Sequence, residues 1–399
     1  MLRTSRPFRI LSTAVIASGI AAASVGVDAR AGHAADPVTP RVGHVWIFVF
    51  ENTNYDQVTT ATMPYFSARA AQGVTLSKMY GVGHASLTNY IAMASGHAPK
   101  PSTQADCFNY DCIYEAGEDA NVADQLEEAN FTWKAYMDGA PGPCPKPQEK
   151  AGEPYIVGYA TRHNPFMYYR GLVDDKARCV DHVRTLADLA GDRAAGNVAN
   201  YNFISPDTCN DAHDDSKDGC KLPDADKWLE QHLKPILDSP EYKSDGAVIL
   251  TFDEAEISDA SNCCDPKTPG GGHIATAILS PRLAKPGTID ATPYSHYSLL
   301  RTVEDNFGLA ALRHAGDAST NSMITLFKAP DPSLTTTTTN AAGSTTIAAR
   351  TTTQTVVKPK KKSSDSQSTL WFGLGLGLAI VAGGVISAKR RSAKLKLGS

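Results

Sequence analysis

The chain has 399 residues, 42% of them hydrophobic, 20% charged and 8% aromatic, which supports a packed domain of substantial size and excludes disorder throughout. The formal net charge of −4 averages unlike parts: residues 1–35 carry +3, residues 389–399 carry +5, and everything between carries −12. An acidic body of that size repels phosphate backbones and excludes general nucleic-acid binding, so a small anion would need a local cation or metal to enter it.

In chain order, Arg3, Arg6 and Arg9 precede an uncharged run from Ile10 to Val27, and the small residues around Ala29, Ala31, Ala34 and Ala35 offer A-x-A-like cleavage sites. Residues 1–35 therefore read as an export signal. His44 to Phe50 is a continuous apolar run, as expected of a strand buried on both faces, and it ends in Glu51-Asn52-Thr53-Asn54-Tyr55-Asp56. Helices are expected over Met63–Gln72 and Asn89–Ala94. Between them, Gly83-His84-Ala85-Ser86-Leu87-Thr88-Asn89 places hydroxyls immediately before a helix start, where backbone N–H groups and the positive helix end suit an incoming phosphate. On the residues alone, Ser86 or Thr88 is either a nucleophile or a plain helix cap.

All eight cysteines (Cys107, Cys112, Cys144, Cys179, Cys209, Cys220, Cys263, Cys264) lie between residues 100 and 265. An even number confined to an exported domain favours disulfides over a metal cluster. Cys107 and Cys112 are close enough to close a local loop, whereas adjacent Cys263 and Cys264 are expected to bond to different partners. After a helix over Asn121–Ala129, the aromatic and proline-rich segment Tyr136–Tyr169 is expected to form a disulfide-braced loop over the site that selects substrate.

Ala199–Ile204 is a second apolar strand, followed by Asp207, Asn210, Asp211, His213 and Asp214; a helix is expected over Asp224–Asp238. Ala247–Phe252 is a third strand, followed by Asp253-Glu254-Ala255-Glu256. Gly270-Gly271-Gly272-His273 lacks the G-x-x-x-x-G-K-[ST] phosphate loop, so its glycines mark a tight turn or a close backbone approach. A fourth strand over Ile274–Leu279 and a helix over Tyr297–Phe307 follow. Alternation of this kind predicts an α/β fold, a single domain over 36–328 with a mainly parallel central sheet flanked by helices.

Residues 329–369 hold the run Thr335–Thr339, further threonines and a basic cluster from Lys358 to Lys362, with few large apolar residues. That composition cannot offset its own ordering entropy and is expected to form a disordered stalk. Leu370 to Ala388 is a 19-residue uncharged stretch followed by Lys389-Arg390-Arg391, the pattern of a transmembrane helix with a basic cytoplasmic tail over 389–399. The expected topology is an exported catalytic body anchored in the cell membrane by that C-terminal helix.

Three of the four strands end in carboxylates, and in parallel sheets the reacting groups gather at the carboxyl ends of strands. Buried carboxylates on one sheet edge repel one another unless a cation is present. The oxygen-rich set, with histidine available, implies a divalent metal without choosing among Mg, Ca, Mn and Zn.

The order Glu51-Asn52, then Ser86-Leu87-Thr88-Asn89-Tyr90 with Ser95-Gly96, then Pro206-Asp207 with Asn210-Asp211-Ala212-His213-Asp214, then Thr251-Phe252-Asp253-Glu254, then His296 through Glu304 resembles the phosphoesterase family of acid phosphatases and bacterial phospholipases C, within the alkaline phosphatase superfamily. The similarity covers roughly residues 41–315, and the compact size and Asn-Asp-x-His-Asp segment are most similar to its mycobacterial secreted branch acting on phosphatidylinositol 3-phosphate. The resemblance implies an alkaline phosphatase-like fold. It also implies that Glu51, Asn52, Asp253 and Glu254 ligate metal and that a hydroxyl in the 86–88 segment, here assigned to Ser86, is the nucleophile and a metal ligand. Related sequences commonly read hydroxyl-x-Pro-Asn; this chain places Thr88 where Pro is usual and keeps Asn89 where the Asn would hold a phosphoryl oxygen.

The expected chemistry is in-line attack by Ser86 on a phosphate monoester, giving a phosphoserine that water hydrolyses. His213 and His296 are candidates for protonating the leaving alkoxide, and His84 and His273 for contacts to phosphate. Asp207 and Asp211 either ligate metal or orient a histidine. The expected substrate is a phosphate ester, either a small molecule or a phospholipid headgroup; no nucleic acid and no protein partner is implied. A phosphodiesterase or phospholipase C of the same family, or a non-catalytic surface binding module, are the alternatives.

Overall fold

The computed structural model describes residues 39–107, 110, 112–117, 119–146, 158–213, 220–263, 270–330, 335–339 and 345–349. The expected export signal over residues 1–35, the expected membrane span at 370–388 and the expected basic tail over 389–399 lie outside the described residues. Among the described residues, no helix is long and apolar enough to cross a membrane.

The first apolar run forms β1 (His44–Phe50), and its residues from Val45 to Phe50 are buried on both faces. α1 (Pro64–Ala70) leads to β2 (Val74–Tyr80), whose Val-Thr-Leu-Ser alternation buries one face, and then to α2 (Ser86–Ser95). After α3 (Val122–Glu128) come β3 (Trp133–Met137), the short helices α4 (Arg170–Val173) and α5 (Lys176–His182), β4 (Val183–Thr185) and α6 (Leu186–Ala194). β5 (Tyr201–Ser205), α7 (Leu222–Leu237), α8 (Pro240–Asp245) and β6 (Gly246–Phe252) follow. The domain closes with β7 (His273–Leu279), β8 (Thr288–Asp290), β9 (Tyr294–Ser295) and α9 (His296–Phe307).

These strands make one nine-stranded sheet in the order β4-β3-β5-β1-β6-β7-β2-β8, with β9 also beside β2. Every neighbouring pair is parallel except those made by β7, which runs against both β6 and β2. The mainly parallel sheet is as expected. Of the other strands, β2 is half-buried, β3 is interrupted by Lys134, and β4, β8 and β9 are three residues or fewer, so they lack the continuous apolar run that marks β1, β5, β6 and β7.

Register fixes the two faces. Ile47 lies opposite Phe203, and Phe48 opposite Ile204. Phe48 and Phe50 meet Trp228 of α7 edge-on, while Phe203 points the other way and meets Tyr90 of α2 edge-on. Each fully buried large side chain of this kind contributes roughly 1.5–3 kcal/mol relative to exposure. The same register sets β5, β1 and β6 side by side in the middle of the sheet, so the carboxylates that follow them share one edge.

Three disulfides join Cys107–Cys112, Cys144–Cys179 and Cys209–Cys220. Cys263 is disulfide-bonded too, and the other six cysteines are spent on one another. The expected separate partners of Cys263 and Cys264 involve residue 264, which lies outside the described residues. Cys144–Cys179, closing 35 residues, restrains the unfolded chain by roughly 4 kcal/mol on a chain-entropy estimate.

The segment Tyr136–Tyr169 differs from a loop throughout. It begins inside β3 and re-enters the core as two short turns, Thr161–His163 and Pro165–Tyr168, whose residues are all buried; residues 147–157 lie outside the described part. Within the threonine-rich stretch expected to lack order, Thr335–Thr339 pairs antiparallel with Thr345–Ala349 as a two-stranded ribbon. β-branched threonine suits an extended backbone, which composition weighed against core size does not register.

Candidate active site

The edge where β5, β1 and β6 end holds Glu51, Asp211 and Asp253, each with no exposed surface. Glu51 is its centre. Ser86, the first residue of α2, donates from Oγ to Glu51 Oε2 at 2.9 Å, and Tyr90, one turn later on the same helix face, donates to Glu51 Oε1 at 2.5 Å. His163 lies with Nε2 at 3.4 Å from Glu51 Oε2 and Nδ1 at 3.2 Å from Asp211 Oδ2, its ring stacked on that of Tyr90. Asp253 Oδ1 accepts from the backbone N–H groups of Asn52 (3.2 Å) and Glu254 (2.6 Å), which leaves its Oδ2 buried without a donor.

So many buried acids are costly. Two like charges about 4 Å apart repel by about 4 kcal/mol even at an effective dielectric near 20. Burial pushes Glu51 up to about 7 and Glu254 up to about 9, the second reinforced by the charge of Glu51. Burial, then repulsion from Glu51, holds Asp211 and Asp253 well above the usual carboxylate range. Burial also depresses His163, with the charges of Arg162 and His213 acting in the same direction.

These residues fit a divalent cation. One ligand atom from each of Glu51, His163 and Asp211 lies within 4.8 Å of the others, making a possible metal site. The buried oxygens of Asp253, Asp211 and Asn52 without hydrogen-bond donors add to a hard, oxygen-rich set with one imidazole.

The other residues singled out in the sequence divide. Thr88 turns its hydroxyl to Thr103 Oγ1 at 3.2 Å, whereas Ser86 faces Glu51. Asn89 spends its amide on the turn before α2: Oδ1 accepts from Val82 and Gly83 N–H, and Nδ2 donates to Gly83 O and to Glu254 Oε2 (3.1 Å). Its amide thus organises the turn before α2 and reaches Glu254. His213 is half-buried beside His163, with its backbone N–H held by Asp211 Oδ1 at 2.8 Å. His296 is fully buried, depressed to about 4 by burial, and contacts the Asp253 carbonyl through Nε2 at 2.5 Å. An imidazole so placed orients the backbone of Asp253.

Three further residues lie outside the cluster. Asp207 Oδ1 accepts from Cys209 N–H, Asn210 N–H and Asn210 Nδ2, closing its own turn. The His273 ring is stacked between Tyr55 and Tyr80 with Nε2 on Ser77 O. His84 Nε2 meets Asp259 O at 2.9 Å. The glycine segment acts by close approach: a Cβ on Gly271 would lie 2.6 Å from Gly83 O, so only glycine lets that loop reach the turn before α2.

His163, Tyr90 and the buried Arg162 are the site residues that sequence reading missed. Arg162 lowers Glu51, Asp211 and Asp106 through its charge, and so lies among the acids. The available signal was polar Arg162-His163-Asn164 inside an otherwise aromatic and apolar stretch.

The chain matches the profile of the Phosphoesterase family over residues 53–310. A probable acid phosphatase of Kluyveromyces lactis is 30% identical over 284 residues, covering 70% of this chain and 62% of that protein. The phosphatidylinositol-3-phosphatase of Mycobacterium tuberculosis is 24% identical over 316 residues, covering 79% of this chain and 93% of that protein. A solved protein of the alkaline phosphatase superfamily from Vibrio parahaemolyticus is similar with a TM-score of 0.48 at 14% identity, over 71% of this chain and 72% of that one. The chain spans less than two thirds of the length of the Kluyveromyces relative.

Proposed function

Since this chain belongs to the phosphoesterase family, we propose that it is a metal-dependent phosphoric monoester hydrolase acting through a phosphoserine on Ser86. The observation that carries this reading is the buried hydrogen bond from Ser86 Oγ to Glu51 Oε2, 2.9 Å long, inside a set of acids suited to a cation.

Glu51, His163 and Asp211, with Asp253, Asn52 and Glu254 beside them, would hold a divalent ion. When bound, it would supply charge neutralisation for the phosphate and acidify the serine hydroxyl. The chain's own residues do the rest. Ser86 Oγ attacks phosphorus in line as the bond to the leaving oxygen breaks, and its proton passes to Glu51 Oε2. Tyr90 holds the other oxygen of Glu51 and so fixes the direction of that carboxylate. His213, at the edge of the site, gives a proton to the leaving alkoxide. Water then attacks phosphorus, giving a proton to His213 as the bond to Ser86 Oγ breaks and Glu51 returns its proton to Ser86, and orthophosphate is released.

The relative matched over 93% of its length is a phosphatidylinositol-3-phosphatase, so a phosphoinositide headgroup is the natural ester to test beside simple ones. The disulfides suit an exported domain, and we place it outside the membrane, released from residues 1–35 and anchored through 370–388 by way of 329–369.

The test is hydrolysis of p-nitrophenyl phosphate, its bis-ester and phosphatidylinositol 3-phosphate by the purified full-length protein, before and after chelation and divalent-metal return. Monoester turnover that chelation removes and metal restores, and that Ser86→Ala lowers by at least about 10³-fold, is expected. Turnover of the diester alone would replace this reading with a phosphodiesterase, and none on any ester with metal bound would leave a binding module. Loss in Thr88→Ala with Ser86→Ala still active would move the nucleophile.

A further inference from the structure

The helix that carries Ser86 begins without a cap of its own. Its N-cap residue, Ala85, has no side-chain acceptor for the free N–H groups of the first turn. Acceptors arrive from a segment some 15–20 residues further on. Asp106 Oδ1 takes the Leu87 N–H at 3.1 Å, and Thr103 Oγ1 takes the Thr88 hydroxyl at 3.2 Å. This segment therefore grips the two residues directly after Ser86.

Asp106 is held in an uncommon backbone state. Asp106 and Cys107 are consecutive non-glycine residues in the left-handed region, with φ of +52° and +51°, a conformation that survives only where the surroundings over-determine it. Here Asp106 N–H donates to Thr103 O at 3.2 Å and Cys107 N–H to Ser102 O at 3.1 Å. The Cys107–Cys112 disulfide closes the segment, with Cys112 N–H donating to Cys107 Sγ at 3.1 Å.

We propose, resting on the reading of Ser86 as nucleophile, that Asp106 is a positioning residue that holds the first turn of α2, and with it Ser86 Oγ, against Glu51, and that the Cys107–Cys112 disulfide is the staple that keeps Asp106 there. The geometry says what should be lost without it. Tyr90 ties the second turn of α2 to Glu51 Oε1 independently. Loosening the first turn therefore frees Ser86 from Oε2 while leaving the carboxylate in place, and the loss falls on kcat and not on KM. Asp226 supplies an internal comparison, since its two oxygens accept from Tyr65 and Phe66 N–H at 2.8 Å each and cap α1, which carries no residue of the site.

The experiment compares full-length variants by steady-state kinetics on p-nitrophenyl phosphate and by hydrogen exchange of the peptide spanning α2. Asp106→Ala should lower kcat about 10- to 100-fold, the scale of an ångström-level misplacement, with KM within about twofold. Asp106→Asn, which keeps an oxygen acceptor for Leu87 N–H, should recover kcat to within about threefold. Asp226→Ala should lower the melting temperature with kcat unchanged. Cys107→Ser/Cys112→Ser should lower kcat, and adding Asp106→Ala to that pair should cost less than about a further twofold, because both act through one contact. A kcat for Asp106→Ala within twofold of wild type, an Asn variant no better than Ala, or fully multiplicative losses would each overturn the proposal while leaving the phosphatase reading intact. If wild type turns over no ester, that reading fails by itself. Hydrogen exchange then decides the grip: loss of Leu87 protection in Asp106→Ala but not in Asp106→Asn supports it, and equal exchange overturns it.

Discussion

Glu304 offers a measurement of how burial alone shapes the pH response of this domain. It sits near the end of α9 with no exposed surface; Oε1 accepts from Leu312 N–H at 2.8 Å, and Oε2 has no partner. Burial pushes its carboxyl from 4.5 up to about 8. The sign follows directly. Between those two values the folded state holds one more proton than the unfolded chain at this group, so its contribution to stability is fully present below about pH 4.5 and is lost as pH rises toward 8. One unit is worth about 1.4 kcal/mol, so from pH 5 to 7.5 this single group removes about 3 kcal/mol. Glu304→Gln keeps the size and the acceptor oxygen but cannot ionise. It should match wild type at pH 5 and exceed it by up to about 3 kcal/mol at pH 7.5, roughly 5–10 °C in melting temperature for a domain of this size. Thermal unfolding of both proteins under chelation at the two pH values measures it, because the difference cancels the other buried acids. A difference that is the same at both pH values would refute the reasoning.

Two further outcomes test the chemistry. Replacing His213 by Gln should lower kcat about 10²–10⁴-fold on an alkyl phosphate and much less on p-nitrophenyl phosphate, whose leaving group needs no proton; equal losses on both would remove His213 as the acid. Asp253→Asn should weaken divalent-metal binding, read as metal content after dialysis or by calorimetry, and unchanged content would take Asp253 off the ligand set.

Much of this site is legible in the amino acids themselves. The apolar runs of β1, β5 and β6 announce strands buried on both faces, and each ends in carboxylates, so a shared acidic edge follows from the habit of parallel sheets. Glycines before β7 imply a close approach, and Gly271 makes one. Assignments made residue by residue from spacing are less secure. His273 and Asp207 sit beside plausible motifs, yet the His273 ring stacks between two tyrosines and Asp207 Oδ1 closes its own turn, because which way a loop side chain points is set by its neighbours and not by its place in a motif.

The strand cores, the acidic strand ends, the hydroxyl-bearing start of α2 and the disulfide chemistry are written in the amino-acid order, since each is a property of one continuous stretch with its own period or composition. The convergence of Glu51, His163 and Asp211, the turning of Ser86 rather than Thr88 toward Glu51, and the capping of α2 by Asp106 from outside that helix emerge only on folding. Those facts join residues far apart in the chain, and they depend on sheet order, on the rotation of α2 about its axis and on disulfide-held turns, none of which leaves a period in the sequence.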